Sequence, residues 1–462
     1  MLAYSAACVN PTQPACLGTL KLAYACPPHL LIRGVGLALD GPRAQPALNR
    51  RPLYALIAAD NISRVGNVLT MVAVPWLVLV TTGSAALTGV AVFANALPVV
   101  IALLFGGVFV DRYSYRAVSI AADLASCGTV ALIPLLELTV GLAFWQLLVL
   151  VFLGALLDIP GSVARMSALP ELAEMAGMRI ERAMALSESV ATVSSLAAPA
   201  LAGVLIAVMG PSNVLLLDAA TFAISAGVVA KLVPAHARKV AEHAHGYLAQ
   251  FTAGLRFIRG EVLLFPLVLF FAAINLAIGP IETVFVPVYA KEVFDSSVAL
   301  GLMAAANGAG ALAGTVAFGV LGPRLSRRAV FAASFATVPA ALALLALTPN
   351  LPLTLAVLAG LGVGLGVANV LEYTIYFERI PEGMRARVLG LTGAIGWGSV
   401  PLGRIGGGFL VEQFGLSATL GLIALLSAPL PLLLFIVPAF RDMRAPEPEA
   451  ISPAAPSVSA VD

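Results

Sequence analysis

The chain has 462 residues, of which 60% are hydrophobic and 11% are charged, and its formal net charge is +2. A soluble domain carries roughly 25% charged residues, so this composition excludes a soluble globular protein. Apolar runs of about 20 residues, the length that an α-helix needs to cross a bilayer, recur along most of the chain. The runs are continuous rather than alternating, so they predict an all-α, polytopic membrane protein and not a β-barrel.

The two ends of the chain differ from the rest. Residues 1–50 contain prolines, glycines and three of the four cysteines without a clear apolar period, and they lack an apolar run long enough to span. We expect a disordered N-terminal tail here, or an upstream extension of the reading frame with the folded part starting near Arg50. We expect a second disordered tail over residues 441–462.

Between the tails, the apolar pattern predicts twelve transmembrane helices in two six-helix repeats. The N-terminal bundle covers residues 51–233 and the C-terminal bundle covers residues 261–440. The expected spans are 53–80, 86–110, 117–137, 142–164, 183–209, 213–233, 261–290, 298–322, 328–348, 352–377, 385–411 and 416–440.

The distribution of basic residues predicts which loops of the chain face the cytoplasm. Residues 234–260 are rich in His, Lys and Arg and are expected to form a cytoplasmic linker, with an interfacial helix over residues 247–258. Most other Lys and Arg residues lie in the tails or near the loops after even-numbered spans. Cytoplasmic loops carry the excess of such residues, so these loops and both termini are predicted to be cytoplasmic. Both halves then have the same orientation, with the substrate path between them.

A charged stretch that occurs twice indicates an internal duplication. The offset is 212 residues, and it also relates several positions further upstream. The recurring residues of the stretch are Gly107, Arg112 and Arg116, matched by Gly319, Arg324 and Arg328; upstream, Gly89 matches Gly301 and Asn95 matches Asn307.

The first copy connects the second and third spans. Asp111 falls where the second span ends, and an acid there can cap a neighbouring helix. Arg112 and Arg116 can bond carboxylates or anionic lipid headgroups. We expect this stretch and its copy to act as a conformational switch, although residue types alone leave an ordinary charged loop as an equal alternative.

These features resemble the major facilitator superfamily of transporters. Gly107, Asp111, Arg112 and Arg116 match its loop motif between helices two and three. Over residues 50–440 the chain is similar to the drug-exporter branch that includes macrolide efflux and enterobactin export proteins. The residues that carry this similarity are Thr82–Ala85, Leu169–Glu171, Leu217–Phe222 and Pro401–Gly403.

Two departures from the family pattern concern the direction of transport. The antiporter motif of the fifth helix usually contains Gly-Pro, whereas this chain has Ala198-Pro199. In the second copy of the loop motif, Pro323 replaces the acid. The resemblance therefore predicts the fold more firmly than it predicts export.

Ionisable residues inside apolar spans are candidates for function because burying them is costly. Asp60 and Arg64 are four residues apart on the first helix and are expected to share a face and pair. Asp218, near the outer end of the sixth helix, is expected to cap or pack. Structural pairing with Arg112 or Arg165 is expected for the acids near cytoplasmic helix ends, which are Asp123, Asp158 and Glu188.

The sharper candidates for a proton or substrate site are Glu282, Glu372 and Arg404, since each lies several residues inside its span. A carboxyl group in a low-dielectric cavity can bind and release a proton near neutral pH. A nearby arginine would make proton and substrate compete. A fixed ion pair that holds the helices together is the equal alternative.

Together these observations predict a secondary transporter that works by alternating access and exports an amphipathic small molecule, such as a drug, macrolide-like compound or siderophore, in exchange for protons. Nutrient uptake and a non-transporting membrane sensor are the alternatives. The sequence has no phosphate-binding loop, His/Cys metal cluster or nucleophile–base set, so it predicts no enzyme, cofactor, metal or nucleic-acid partner. We expect a monomer in the plasma membrane.

Overall fold

The computed structural model describes residues 49–105, 114–234, 247–322, 325–347, 350–381 and 384–443, and these residues are helical with no β-strand. The predicted tails and most of the predicted switch loop lie outside the described residues. The α-helices are α1 (Arg51–Thr82), α2 (Ala85–Phe105), α3 (Tyr115–Thr139), α4 (Phe144–Met175), α5 (Ile180–Met209), α6 (Pro211–Leu232), α7 (Tyr247–Gly260), α8 (Leu264–Ile278), α9 (Val286–Glu292), α10 (Ser297–Leu321), α11 (Arg327–Leu345), α12 (Leu351–Arg379), α13 (Arg385–Phe414), α14 (Leu416–Ser427) and α15 (Leu430–Ile436).

The helices match the twelve predicted spans one for one. Ten stretches of the described chain are long and apolar enough to cross a membrane by length and composition, with α8–α9 and α14–α15 each forming one span. Helices α2 and α13 are the remaining two. The all-α membrane fold is therefore confirmed, and α7 lies where the sequence predicted a separate linker helix.

The fourth span is longer than predicted. We expected it to end near residue 164, but α4 continues through Pro170 to Met175. The reason is burial: Leu172 and Ala173 after the proline pack in a core cluster with Leu53 and Leu56 of α1. Apolar burial at this site outweighs the hydrogen bond that a proline removes from a helix.

The seventh span changes its geometry in the middle. Helix α8 ends at Ile278, and after Gly279 and Pro280 the chain forms a π-helical segment, Ile281–Phe285, before α9 begins. The backbone N–H of Phe285 donates to the carbonyl oxygen of Pro280 over 2.9 Å, a five-residue step. π-Helical turns often mark functional sites, and this one contains Glu282 and Thr283.

The N-terminal half (α1–α6) and the C-terminal half (α8–α15) meet at two close glycine contacts. Gly89 of α2 faces Gly408 of α13, where a Cβ on Gly89 would lie 2.7 Å from a backbone carbonyl oxygen of α13. Gly203 of α5 faces Gly301 of α10, where a Cβ on Gly203 would lie 2.4 Å from a carbonyl oxygen of α10. Gly89 and Gly301 are related by the sequence repeat, so the duplication forms the same contact twice.

Hydrogen bonds join the halves near the same contacts. Oε2 of Glu412, on α13, accepts from the Ser84 hydroxyl at 3.0 Å and from the Ala86 backbone N–H at 3.3 Å, at the start of α2. The Ser297 hydroxyl, at the start of α10, donates to the carbonyl oxygen of Gly203 over 3.0 Å. Both sites adjoin loops after odd-numbered spans, so we call this the odd-loop end of the bundle.

Candidate functional site

A cavity of about 220 Å³ lies between the two halves, and we call it the central cavity. Its walls come from α1 and α2 of the N-terminal half and from the π-helical segment and α13 of the C-terminal half. Most of its lining is apolar. The lining residues are Thr70, Met71, Val74, Pro75, Val92, Asn95, Ala96, Val99, Thr283, Trp397, Val400, Pro401 and Arg404.

Arg404 is the charged member of this lining. Its Nε donates to the carbonyl oxygen of Gly279 over 3.4 Å, at the break before the π-helical segment. The charge of Glu282 acts on this guanidinium, although no described carboxylate forms an ion pair with it. The lining of the cavity therefore includes a positive group that a polar or anionic part of a ligand can reach.

Glu282 and Glu372, the two predicted carboxylates, lie in different surroundings. Glu282 is exposed, accepts a hydrogen bond from Nδ2 of Asn307, and does not line the central cavity, whereas its neighbour Thr283 does. Glu282 therefore stays a predicted site residue that lies beside the lining of the central cavity rather than in it.

Glu372 lines a second cavity, of about 210 Å³, inside the C-terminal half. The Tyr376 hydroxyl donates to the Glu372 carboxyl group and also bonds with Thr392. Trp397 lines both cavities. The remaining lining residues are Phe271, Asn275, Ile278, Phe335, Leu365, Ala368, Asn369, Tyr373, Leu389, Gly393 and Gly396.

A buried arginine organises the acids of the N-terminal half. Arg165 of α4 is 2% exposed, and its Nε lies 2.8 Å from Oδ1 of Asp60 while its Nη1 lies 2.7 Å from Oδ1 of Asp123. Asp158 is 3.9 Å from the same guanidinium. Arg64 pairs with Asp60 at 2.7 Å, as the spacing predicted. Pairing of Asp123 with Arg165, which we also expected, is present.

Helix α1 presents a polar stripe along one side. Asp60, Ser63, Arg64, Asn67 and Thr70 follow each other at helical spacing, so they share a face. Each contacts a partner on another helix or on α1 itself. The bonds beyond those of Asp60 and Arg64 are Ser63 with Arg165, Asn67 with Asp158 and Thr70 with Asp218. The residues predicted from the sequence did not include Ser63, Asn67 or Thr70, although their spacing from Asp60 places them on the same helix face.

The predicted switch motif is described in part. Gly107, Asp111, Arg112 and Arg324 lie outside the described residues, and a Cβ at Gly319 would meet open space.

The two described arginines of the motif bond to a helix end in their own half. Arg116 donates to the carbonyl oxygen of Ala230, in the last turn of α6, and Nε of Arg328 donates to that of Leu434 in α15 over 2.5 Å. These repeat-related side chains cap the last helix of their half.

A duplicated twelve-helix bundle with a cavity between its halves defines a membrane transporter. The model of the Major Facilitator Superfamily matches residues 57–400 and, in an overlapping match, 283–460. The chain belongs to this superfamily. It is a multi-pass membrane transporter and not an enzyme, which confirms both predictions.

Similar proteins give the same assignment. The chain is 32% identical over 400 residues to the multidrug efflux pump Tap of Mycolicibacterium fortuitum, covering 85% of this chain and 97% of Tap. It is 22% identical to macrolide efflux protein A of Streptococcus pyogenes, covering 79% and 90%. The fold is similar to the nucleoside transporter NupG, with a TM-score of 0.67 at 16% identity over 85% and 98% of the two chains. It is also similar to a bacterial homologue of the iron transporter ferroportin, with a TM-score of 0.63 at 16% identity over 83% and 98%.

Proposed function

We propose that the chain is a proton-coupled exporter of an amphipathic small molecule and works by alternating access. The observation that carries this proposal is the central cavity, which lies between the halves and has mostly apolar walls with Arg404 among its lining residues. Such a lining suits an apolar body with a polar group better than a molecule that needs many hydrogen bonds. The efflux pumps similar to this chain support export as the direction.

Alternating access requires that the contacts at the odd-loop end can open. We propose that this end faces outward and both termini face the cytoplasm, because basic residues favour the opposite end. The contacts of Glu412 with Ser84 and of Gly89 with Gly408 then close the outward side. One chain supplies both walls of the cavity, which supports a monomer in the plasma membrane as the working unit.

We assign proton coupling to the C-terminal half. Glu372 has a tyrosine donor in a mostly apolar cavity, and Glu282 is close enough to Arg404 for its charge to act there. Protonation of either carboxyl changes the charge near the central cavity, and substrate can respond to that change. Asp60 and Arg64 are instead assigned to the ion-pair cluster around Arg165, because both of their charges are already paired.

The test is transport in proteoliposomes and inside-out vesicles with an imposed pH gradient. The probes are tritiated erythromycin, a macrolide, and tetraphenylphosphonium, a lipophilic cation. We expect uphill accumulation in inside-out vesicles for the wild type and at least a tenfold loss for Glu372→Gln, with a smaller loss for Glu282→Gln. Probe binding should persist, because glutamine keeps the size and hydrogen bonding of glutamate.

Glu137→Gln is the matched control, because Glu137 is exposed on α3 and lines neither cavity. Normal proton-driven accumulation in both cavity variants would show that the carboxylates are structural. Accumulation that runs only into right-side-out vesicles would instead establish uptake.

A further inference from the structure

Asp218 of α6 is a fully buried carboxyl group whose described partners are neutral. Its Oδ2 accepts from the Thr70 hydroxyl, and its Oδ1 accepts from Oγ1 of Thr221 at 3.2 Å. Gly66 of α1 makes room for it, since a Cβ there would lie 2.1 Å from Oδ1. The chain thus builds a close-fitting site for this carboxyl between α1 and α6.

The other buried acids of the N-terminal half differ from Asp218 in one respect. Asp60, Asp123 and Asp158 are gathered around the guanidinium of Arg165, whose positive charge compensates theirs. Asp218 has hydroxyl partners and no ion-pair partner among the described residues. A buried carboxylate without a cation is costly, whereas a protonated carboxyl with hydroxyl partners is not.

Few groups near Asp218 could stabilise a negative charge on its carboxyl group. The titratable groups that act on it are Cys127, on α3, and Asp158, on α4. The ionised forms of both groups are negative, so they repel a negative charge on Asp218 and do not stabilise it. Helix α5 also packs on α6, but its charged residues Glu181, Arg182 and Glu188 lie near its start, at the other end from Asp218.

Thr70 connects this carboxyl to the transport path. Its side chain donates to Asp218 and also lines the central cavity. A hydroxyl is both donor and acceptor, so it can accept a proton from the cavity side while it gives its own proton to the carboxylate. A single side chain therefore separates Asp218 from the cavity that holds the substrate.

We propose that Asp218 is a further proton-binding residue of the transport cycle, and that the Thr70 hydroxyl passes protons between it and the central cavity. The inference rests on the proposed proton coupling. In the loading step, a hydronium ion in the central cavity gives a proton to Oγ1 of Thr70 and becomes water, while the original hydroxyl proton moves to Oδ2 of Asp218. Unloading reverses both moves, so the threonine is unchanged and the aspartic acid returns to aspartate.

The test compares Thr70→Val, which keeps the shape but removes the relay, with Thr70→Ser, which keeps the hydroxyl, and with Asp218→Asn. Thr81→Val is the control, since Thr81 is on the same helix and bonds to carbonyl oxygens of that helix. We expect at least a tenfold loss of proton-driven erythromycin or tetraphenylphosphonium accumulation in Thr70→Val and Asp218→Asn. Probe exchange without a pH gradient should persist in Asp218→Asn, because Asp218 does not line the central cavity. Thr70→Ser should recover most of the accumulation.

A second readout needs no substrate. Purified wild type should show infrared C=O bands of protonated carboxyl groups. One of these bands should be missing in Asp218→Asn, and in Thr70→Val the pH midpoint of that same band should shift. If wild type shows that band but no proton-driven accumulation, the proposed function fails while the proton site stands. If wild type is coupled and the two variants keep normal coupling and the same band, this inference fails alone. If Asp218→Asn does not insert, the valine and serine variants of Thr70 still decide.

Discussion

Gly408 lies against Gly89, so that a Cβ on Gly408 would be 3.1 Å from the Cα of Gly89 and 2.6 Å from the carbonyl oxygen of Ala85. Backbone atoms of α2 and α13 form this contact, and a helix backbone cannot move aside as a flexible side chain can. The contact joins α2 of one half to α13 of the other. It therefore makes the closed arrangement of the odd-loop end dependent on the absence of a side chain at this position.

We expect Gly408→Ala to open the odd-loop end and to slow transport at least tenfold, because the added methyl group pushes α13 away from α2. The measurement is the alkylation rate of a cysteine introduced at Val92, in the central cavity, by a membrane-impermeant maleimide from the odd-loop side. Gly406→Ala is the control on the same helix, since a Cβ there meets open space. Equal alkylation rates in both variants would contradict the role of the contact.

Glu412 makes a weaker contribution to the same closure. Its carboxylate accepts from the Ser84 hydroxyl and the Ala86 N–H, and thereby caps α2 from the opposite half. Losing a cap of this kind costs about 1 kcal/mol, which corresponds to roughly a fivefold change in an equilibrium. Glu412→Ala should therefore raise the same alkylation rate roughly fivefold, less than Gly408→Ala does. A larger effect of Glu412→Ala than of Gly408→Ala would contradict this order.

Arg165 is expected to be essential for stability. Arg165→Ala would leave Asp60, Asp123 and Asp158 close together without their shared cation, and breaking a buried ion pair in this way costs about 3–5 kcal/mol. The measurement is the thermal unfolding midpoint in detergent. The double variant Arg165→Ala with Asp123→Asn should recover part of the loss, because it removes one of the buried charges. Arg179→Ala is the control, since that side chain is 85% exposed and should leave the midpoint unchanged.

The helices and the local pairs were predictable from the sequence, because both depend on neighbours along the chain. Length and hydropathy define the twelve spans, and a spacing of four residues puts Asp60 beside Arg64. The bond between Thr70 and Asp218 joins residues far apart in sequence. It depends on how α1 packs on α6 around Gly66, which hydropathy does not record.

The position of Glu282 shows a second limit. Glu282 was predicted as a site residue because it lies deep within its span. The direction of its side chain could be inferred from the sequence only if the span were a regular α-helix. The chain instead forms a π-helical segment over Ile281–Phe285, so the α-helical repeat does not give the direction of these side chains. Thr283 lines the central cavity and Glu282 bonds with Asn307. Glu372, on the regular helix α12, lines the second cavity.

Arg116 and Arg328 occupy related positions in the two halves, so each can be tested with the helix end of the other half as its control. Arg116 holds the last turn of α6 through the carbonyl oxygen of Ala230, and Arg328 holds α15 through that of Leu434 while it lies 5.1 Å over the Phe435 ring. A hydrogen bond from a charged group contributes about 1.5–3 kcal/mol, so its loss should make the held turn fray.

The measurement is hydrogen–deuterium exchange of the two helix ends. We expect Arg116→Gln to speed exchange at least tenfold at the backbone N–H of Val233, which bonds to Val229 in that last turn. The N–H of Val437, which bonds to Leu433, should be unaffected by that variant and should respond to Arg328→Gln instead. If each variant changed both helix ends equally, the effect would be global unfolding rather than loss of a local cap. If neither changed its own helix end, these arginines would not hold the ends of their halves.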